Sequence, residues 1–222
     1  MKINQFKTII FDCDGVILNS NKIKTEGFYE FAYFAGQNNA NKLVEYHIQN
    51  GGISRFEKIK FLYKNLLNKK INDKEINLEV KRYSSLIKKK LFDCEVAPYI
   101  YNLREITPNS NWVVVSGSEE NELKEVLNFK KLNHLFDNNI FGSPLNKIEI
   151  ISREISNQTI KEPTLFIGDS EYDYKSALLY KMEFIYLAKW SEWSPDMKYS
   201  LNNAFFDIKE LYEKIIRNDS NI

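Results

Sequence analysis

Residues 9–20, IIFDCDGVILNS, join an apolar run to two aspartates, Asp12 and Asp14, which are separated by one residue and followed by Gly15. A short continuous apolar run is typical of a strand that is buried on both faces of a sheet. The two carboxylates therefore stand at the predicted end of the first strand. Because Asp is also common in turns after strands, the pair alone leaves a purely structural interpretation open.

Composition and charge limit the classes of function. The chain has 222 residues, 43% of them hydrophobic, which suffices for one packed domain or for a domain with an insertion. Its 31 basic and 30 acidic residues give a formal net charge of +1, which argues against nucleic-acid or membrane partners. Residues 1–7 contain no signal-type core, no segment approaches a membrane span, and Cys13 and Cys94 are too few for a disulfide framework. We expect a cytoplasmic protein that is a monomer by default.

Short apolar runs alternate with amphipathic stretches in two parts of the chain. The runs cover residues 8–11, 112–115, 164–167 and 184–187, and the amphipathic stretches cover 119–131, 147–155, 172–181 and 208–217. Strands that alternate with helices are typical of a parallel sheet covered on both faces. The sequence therefore predicts an α/β protein with a Rossmann-like, doubly wound core.

The segment after the first strand has a different pattern. Residues 19–92 contain helical segments and no convincing strand, with breaks at 36–41 and at Gly51-Gly52. Residues 54–57, SRFE, have the form of a capping box, which predicts a helix that continues to Leu67. The last helical segment covers 73–91. We predict an all-helical cap at 19–94, inserted into a core made of 1–18 and 95–222.

Polar residues cluster where the predicted strands end. In an open parallel sheet the ligand crevice lies beyond the carboxyl ends of the strands. The residues that share this position are Asp12 and Asp14 after the first strand, Ser116 and Gly117 after the second, Asp169 with Asp173 after the third, and Lys147 at the start of the intervening helix. The sequence thus predicts four carboxylates, a hydroxyl, backbone amides and an ammonium in one crevice.

This set suits transfer of a phosphoryl group to a carboxylate. Several carboxylates at one site repel each other unless a hard cation is bound, and Mg²⁺ prefers oxygen ligands. One carboxylate can attack phosphorus, and the other can protonate the leaving oxygen and later deprotonate water. Lysine and serine would hold the phosphoryl oxygens.

The same residues resemble the motifs of the haloacid dehalogenase superfamily of phosphohydrolases. The matching residues, in order, are DCDGV at 12–16, then Ser116, Lys147, and GDS at 168–170 with Asp173. The position of the helical insertion resembles the subgroup that contains phosphoglycolate phosphatase and β-phosphoglucomutase. This resemblance implies that Asp12 is the nucleophile, that Asp14 is the general acid and base, and that Mg²⁺ is held by Asp12, the Asp14 carbonyl and Asp169. It also implies that Asp173 supports the metal shell or orients Lys147.

Some residues depart from the family pattern. Ile148 follows Lys147 where the subgroup often has proline, so Lys161 competes for the role of phosphate-binding lysine. Ser170 to Asp173 also has the capping-box form, so Asp173 could simply cap a helix. Residues 19–24 lack the histidine that helps proton transfer in the mutase branch, and Asp14 argues against the dehalogenase branch. We predict a phosphatase; a phosphosugar mutase and a non-catalytic phospho-ligand-binding protein remain alternatives.

The substrate is less constrained. Arg55 and Lys58 follow the Gly-Gly break and are candidate cap contacts to the substrate, although they could equally be surface residues of an amphipathic helix. A sugar phosphate, a glycerol-type phosphate or a phosphorylated amino alcohol would fit. Residues 51–58 resemble members associated with bacterial surface-polysaccharide precursor pathways. His47 and His134 are isolated, and we expect both to be structural.

Overall fold

The computed structural model describes residues 2–196, Tyr199, Leu201 and residues 203–219. In this part of the chain, parallel strands form one sheet in the order β3-β2-β1-β4-β5-β6. The strands are β1 (Thr8–Phe11), β2 (Asn111–Glu119), β3 (Ile140–Ser143), β4 (Thr164–Gly168), β5 (Glu183–Leu187) and β6 (Ala204–Phe205). The four predicted strands are confirmed as β1, β2, β4 and β5. The short strands β3 and β6 were not predicted.

Helices make up most of the remaining structure. They are α1 (Asn21–Ala32), α2 (Gln37–Gln49), α3 (Arg55–Phe61), α4 (Asp73–Asp93), α5 (Ile100–Glu105), α6 (Glu120–Phe129), α7 (Lys147–Ser156), α8 (Glu171–Leu179) and α9 (Ile208–Asp219). Over the described ranges, none of the helices has the length and apolar character needed to cross a membrane.

The sheet is covered on both faces. Successive residues of a strand point to opposite faces, and Ile9 and Phe11 pack in one buried cluster with side chains of α5, α6 and α9. Ile10 packs in a second cluster with side chains of α7 and α8. The predicted Rossmann-like, doubly wound α/β core is therefore confirmed. In this strand order the direction of winding changes between β1 and β4, so their carboxyl ends form the crevice.

Helices α1 to α4 follow β1 and pack on one another beyond the end of the sheet; we refer to them as the cap. The chain enters and leaves the cap along two neighbouring segments, since Leu18 and Val96 form an antiparallel bridge. The Asn19 amide donates to the Glu95 carbonyl at 2.9 Å. The division into a core of 1–18 and 95–222 and a cap of 19–94 stays a prediction.

The start of α3 differs in detail from the prediction. The Ser54 hydroxyl accepts a hydrogen bond from the Phe56 amide at 3.2 Å, as expected of an N-cap. The reciprocal half of the predicted capping box is wrong, because Glu57 instead pairs with Lys60 at 2.9 Å. After Phe61 the chain continues as a π-helical turn, Leu62–Leu66, so the predicted extension to Leu67 is helical but not uniformly α-helical.

Candidate active site

Asp12 lies directly after β1 and is paired with a lysine. Its Oδ2 is 2.9 Å from the Nζ of Lys147, and its Oδ1 accepts a hydrogen bond from the Cys13 amide at 2.7 Å. Lys147 is the first residue of α7, is fully buried, and also contacts Asp173 Oδ1 at 2.5 Å. Although burial acts to lower the pKa of Lys147, Asp12 and Asp173 raise it, so the ammonium is retained. The structure thus places a buried cation between two carboxylates.

Gly15 allows the loop after β1 to turn beside Asp169. Its φ of +76° lies in the left-handed region that glycine adopts without strain. A Cβ at position 15 would overlap the Asp169 carboxylate and the Asn21 side-chain amide. Glycine therefore brings the loops after β1 and β4 into contact.

Asp169 follows β4 and forms a cluster with Asp12 and Asp173. One carboxylate oxygen from each of the three lies within 4.8 Å of the others, and all three residues are buried. Asp169 Oδ2 accepts a hydrogen bond from Asn21 Nδ2 at 2.6 Å. The oxygens of Asp173 are used differently: Oδ1 contacts Lys147, and Oδ2 accepts from the amide and hydroxyl of Ser170 at 3.1 and 2.6 Å. Asp173 therefore caps α8 with one oxygen and contacts Lys147 with the other. The helix-capping interpretation and the lysine-orienting interpretation of this residue are compatible.

The cluster holds three carboxylates, and the Lys147 ammonium offsets only part of their charge. Burial raises the pKa of Asp12 to about 7, although Lys147 acts in the opposite direction. Burial and the neighbouring charges of Asp12 and Asp173 hold the pKa of Asp169 well above its ordinary value. Carboxylates crowded in this way are stabilised by a hard divalent cation, and oxygen ligands are the type that Mg²⁺ prefers.

Asp14 has a separate set of partners. Its carboxylate accepts hydrogen bonds from the hydroxyls of Ser20 at 2.5 Å and Ser118 at 2.8 Å, and it forms an ion pair with Lys24 of α1. Lys24 Nζ also donates to the Ser118 hydroxyl. Although burial acts to raise the pKa of Asp14, Lys24 and the two hydroxyls hold it well below its ordinary value. Asp12 and Asp14, two residues apart in sequence, therefore have opposite electrostatic environments.

A cavity of about 240 Å³ lies between the cap and these carboxylates. Of the predicted site residues, six contribute to its lining: Asp12, Asp14, Arg55, Lys58, Gly117 and Asp169. Ser116, Lys147 and Asp173 are fully buried. The Ser116 hydroxyl accepts from the Ser118 amide at 3.1 Å. Lys161 lies elsewhere, since its amide donates to the Thr8 hydroxyl at 2.8 Å, at the start of β1.

The family model of haloacid dehalogenase-like hydrolases matches residues 6–179. The chain belongs to this family. No curated protein matches the chain at a significant level.

Solved structures of similar fold cover nearly the whole chain of this haloacid dehalogenase-like hydrolase. A predicted phosphoglycolate phosphatase from Haemophilus somnus has a TM-score of 0.72 and 17% identity, covering 96% of this chain and 99% of its own. A predicted phosphatase from Clostridium acetobutylicum has a TM-score of 0.70 and 21% identity, with 96% and 99% covered. A β-phosphoglucomutase from Clostridium difficile has a TM-score of 0.68 and 19% identity, with 95% and 99% covered. At these identities the likeness shows the shared fold.

The two cap residues predicted to contact the substrate, Arg55 and Lys58, have different partners in the hydrolase. Arg55 is bound bidentately by Glu122 of α6, with Nη1 to Oε2 at 2.7 Å and Nη2 to Oε1 at 2.5 Å, and it also donates to Ser84 at 2.6 Å. Lys58 Nζ lies 2.6 Å from His47 Nδ1. Burial and the charge of Lys24 lower the pKa of Lys58 to about 7. Arg55 thus joins cap to core, whereas Lys58 belongs to a polar group on the cap wall.

The glycine at position 117 allows the cap to approach the sheet. A Cβ on Gly117 would overlap the carbonyl oxygen of Gly52, in the loop between α2 and α3. Ser116 and Gly117, predicted to follow the second strand, lie within the last residues of β2, which runs to Glu119. The carboxyl end of β2 and the cap loop are therefore in direct backbone contact. This contact brings the cap wall over the carboxyl ends of the strands.

Several site residues of the hydrolase were not predicted from sequence. They are Ser20, Asn21 and Lys24 around the aspartates, Ser118 on β2, and His47, Glu122 and Glu192 near the cap. Two signals were available: Ser118 is two residues from Ser116 on an extended strand, and Lys24 is one helical turn from Ser20. His47 was expected to be structural, but it lines the cavity. Its position depends on how α2 packs, which sequence periodicity does not give.

Proposed function

We propose that this protein is a Mg²⁺-dependent phosphatase that hydrolyses a small phosphomonoester through an aspartyl phosphate on Asp12. The observation that carries the proposal is the contact of Asp12 with Lys147 inside the buried group of Asp12, Asp169 and Asp173. A nucleophilic carboxylate beside a fixed ammonium suits attack on a phosphoryl group. The cavity is smaller than the roughly 300–1,000 Å³ of sites for drug-sized ligands, which favours a small ester.

The oxygen atoms beyond the carboxyl ends of β1 and β4 are the kind of ligand that Mg²⁺ prefers. Asp12, the Asp14 carbonyl and Asp169 would hold it, and Asp173 would support the site through Lys147, because both of its oxygens already have partners. The bound ion would neutralise charge between the phosphate and the carboxylates. The raised pKa values of Asp12 and Asp169 support this assignment, because a bound divalent cation would stabilise the ionised form of both carboxyls.

The residues of the site would each have a separate role in the reaction. A carboxylate oxygen of Asp12 forms a bond to phosphorus while the bond from phosphorus to the leaving oxygen breaks, and Asp14 gives that oxygen a proton. Lys24 and two hydroxyls hold the pKa of Asp14 low in the free protein, and the negative charge of the bound phosphate would raise it so that Asp14 carries this proton in the complex. Asp14 next takes a proton from water, whose oxygen attacks phosphorus and releases phosphate from Asp12. Lys147, the Ser116 hydroxyl and the Gly117 amide would hold the phosphoryl oxygens. Ser20, Lys24 and Ser118 orient the Asp14 carboxylate.

The test is release of phosphate from p-nitrophenyl phosphate, with added Mg²⁺ and with a chelator. We expect turnover that needs Mg²⁺ and is lost in Asp12→Asn. Asp93→Asn, an exposed aspartate at the end of α4, is the matched control and should keep full activity. Absence of turnover in the wild-type protein would support the non-catalytic phospho-ligand-binding alternative instead. Unchanged turnover in Asp12→Asn would overturn the proposed aspartyl phosphate on Asp12.

We infer that the ester is a soluble metabolite of the cytoplasm. The near-zero net charge supports neither a nucleic-acid nor a membrane substrate. The classes that remain compatible with the cavity are a sugar phosphate, a glycerol-type phosphate and a phosphorylated amino alcohol.

A further inference from the structure

The cap wall of the cavity carries a histidine that the proposed phosphoryl chemistry does not use. His47 is 8% exposed, and its ring packs against Phe28 with centroids 4.7 Å apart. His47 Nδ1 lies 2.6 Å from Lys58 Nζ, whereas Nε2 is buried with no hydrogen-bond partner among the described residues. Leaving a buried polar atom without a partner costs about 1–3 kcal/mol. Because His47 lines the cavity, this unpaired nitrogen indicates a ligand group.

The contact with Lys58 determines which proton His47 carries. An ammonium has three donors and no acceptor, so His47 Nδ1 accepts from Lys58 and the ring proton lies on Nε2. Burial and the charge of Lys58 hold the pKa of His47 well below its ordinary value, so the ring is neutral. His47 therefore presents one N–H donor toward the cavity.

Glu192 provides a hydrogen-bond acceptor near the His47 N–H donor. Its Oε2 is 3.8 Å from His47 Nε2, too far for a direct hydrogen bond. Both Glu192 carboxylate oxygens lie 2.8 Å from the Thr25 hydroxyl, which fixes the side chain, and Glu192 also lines the cavity. A group that fits between His47 and Glu192 must accept from one and donate to the other.

A hydroxyl satisfies both requirements. A carboxylate could accept from His47 but would be repelled by Glu192, and an ammonium could donate to Glu192 but could not accept from His47. The nearby cations do not favour an anion either: Arg55 is paired with Glu122, Lys24 is paired with Asp14, and the charge of Lys58, which donates to His47, is opposed by the Glu192 carboxylate. The polar group on the cap wall is therefore selective for an uncharged oxygen.

We propose that His47 and Glu192 bind a hydroxyl of the leaving group, so that the substrate is the monophosphate of a polyol or sugar rather than a phosphorylated acid, a phosphorylated amine or a bisphosphate. This inference rests on the proposed phosphatase function and narrows its substrate class. His47 and Glu192 are specificity-determining residues in this arrangement, and Lys58 orients the His47 ring.

The experiment measures kcat/KM for glycerol phosphate and longer polyol phosphates. Each is compared with analogues in which the terminal CH₂OH is replaced by a carboxylate, by an aminomethyl group or by a methyl group. Assays are run below pH 7, because the pKa of Lys58 is about 7 and its ammonium form then dominates. For at least one chain length we expect kcat/KM for the polyol phosphate to exceed kcat/KM for each analogue by about tenfold or more. This is the factor that loss of one hydrogen bond to a buried partner produces.

Two variants test the residues separately. His47→Phe keeps an aromatic ring against Phe28 but removes the donor, and it should reduce the preference for hydroxyl over methyl by about tenfold, through KM. Glu192→Gln removes the charge that repels a carboxylate, and it should reduce the preference for the polyol over the acid by a similar factor. His134→Gln alters the other histidine of the chain, which is exposed, and should keep the wild-type preferences.

The outcomes separate the inference from the proposed function. If the wild-type protein does not hydrolyse p-nitrophenyl phosphate with Mg²⁺, both are overturned. If it does, but prefers the acid, the amine or the methyl analogue at every chain length, only the inference is overturned. Unchanged preferences in both His47→Phe and Glu192→Gln would likewise overturn it, and Glu192→Gln keeps the test decisive should His47→Phe fold poorly.

Discussion

The ion pair of Arg55 and Glu122 joins cap to core, and its removal should destabilise the protein strongly. The two side chains are 4% and 8% exposed and make two bonds of 2.7 and 2.5 Å. Glu122→Leu leaves the Arg55 guanidinium buried without its carboxylate, a change that costs about 3–5 kcal/mol in comparable buried pairs. We therefore expect a loss of that size in the free energy of unfolding.

The measurement is urea unfolding followed by circular dichroism near neutral pH. The double variant Arg55→Met/Glu122→Leu should recover most of the loss, because no unpaired charge remains and apolar side chains fill the site. The chain offers a matched control in Lys88 and Glu125, which also link cap to core, from α4 to α6 at 2.7 Å, but are 46% and 52% exposed. Glu125→Leu should cost no more than about 1 kcal/mol, as exposed pairs do.

A loss in the free energy of unfolding for Glu122→Leu no larger than that for Glu125→Leu would refute the reasoning, since it would mean that water reaches the Arg55 guanidinium in solution.

The pH dependence of stability gives a second check. Although burial acts to raise the pKa of Glu122, Arg55 holds it below its ordinary value of 4.5. The stabilisation is thus complete above pH 4.5 and is lost as the pH falls through the folded-state pKa. The stability difference between the wild-type protein and Glu122→Leu should therefore shrink with acidification.

Three further predictions concern the phosphate side of the site. Gly15→Ala should abolish phosphatase activity while retaining the circular dichroism spectrum, because its Cβ would displace the Asp169 carboxylate; normal kcat would contradict this. Lys147→Met should lower kcat by about 100-fold or more, as loss of an electrostatic catalytic group does, whereas Lys161→Met, at the other end of β1, should leave it unchanged; the reverse result would reassign the lysine. Mg²⁺ should raise the Tm of the wild-type protein but not of Asp169→Asn, and equal shifts would place the ion elsewhere.

The core half of the site was predictable because its signals are local. Asp12 and Asp14 directly follow a buried strand, and Ser170 and Asp173 lie three residues apart, so each position follows from one strand end and one topological rule. The strand β3 was missed because its residues, IFGS, contain only two apolar side chains, too short a pattern to separate from a loop.

The cap half was predictable only as helices. Arg55 was predicted as either a substrate contact or a surface residue, but its partner Glu122 lies 67 residues away, and the pairing depends on how α3 packs against α6. His47 and Lys58 are 11 residues apart on different helices, so no helical periodicity relates them. Contacts of this kind are set by tertiary packing, which the sequence pattern of each helix does not contain.

Lys24 is a cap residue whose contact with the core was not predicted from the sequence pattern of its helix. The sequence of residues 19–24 suggested a hinge without a proton-handling group, because it lacks histidine, yet Lys24 contacts both Asp14 and Ser118. One helical turn earlier, Asn21 donates to Asp169. Helix α1 therefore touches the carboxylates that follow both β1 and β4. Because α1 also packs against α2 and α4, displacement of the cap would release Asp14 and Asp169 together. The position of the cap and the orientation of the Asp14 and Asp169 carboxylates are accordingly coupled through α1.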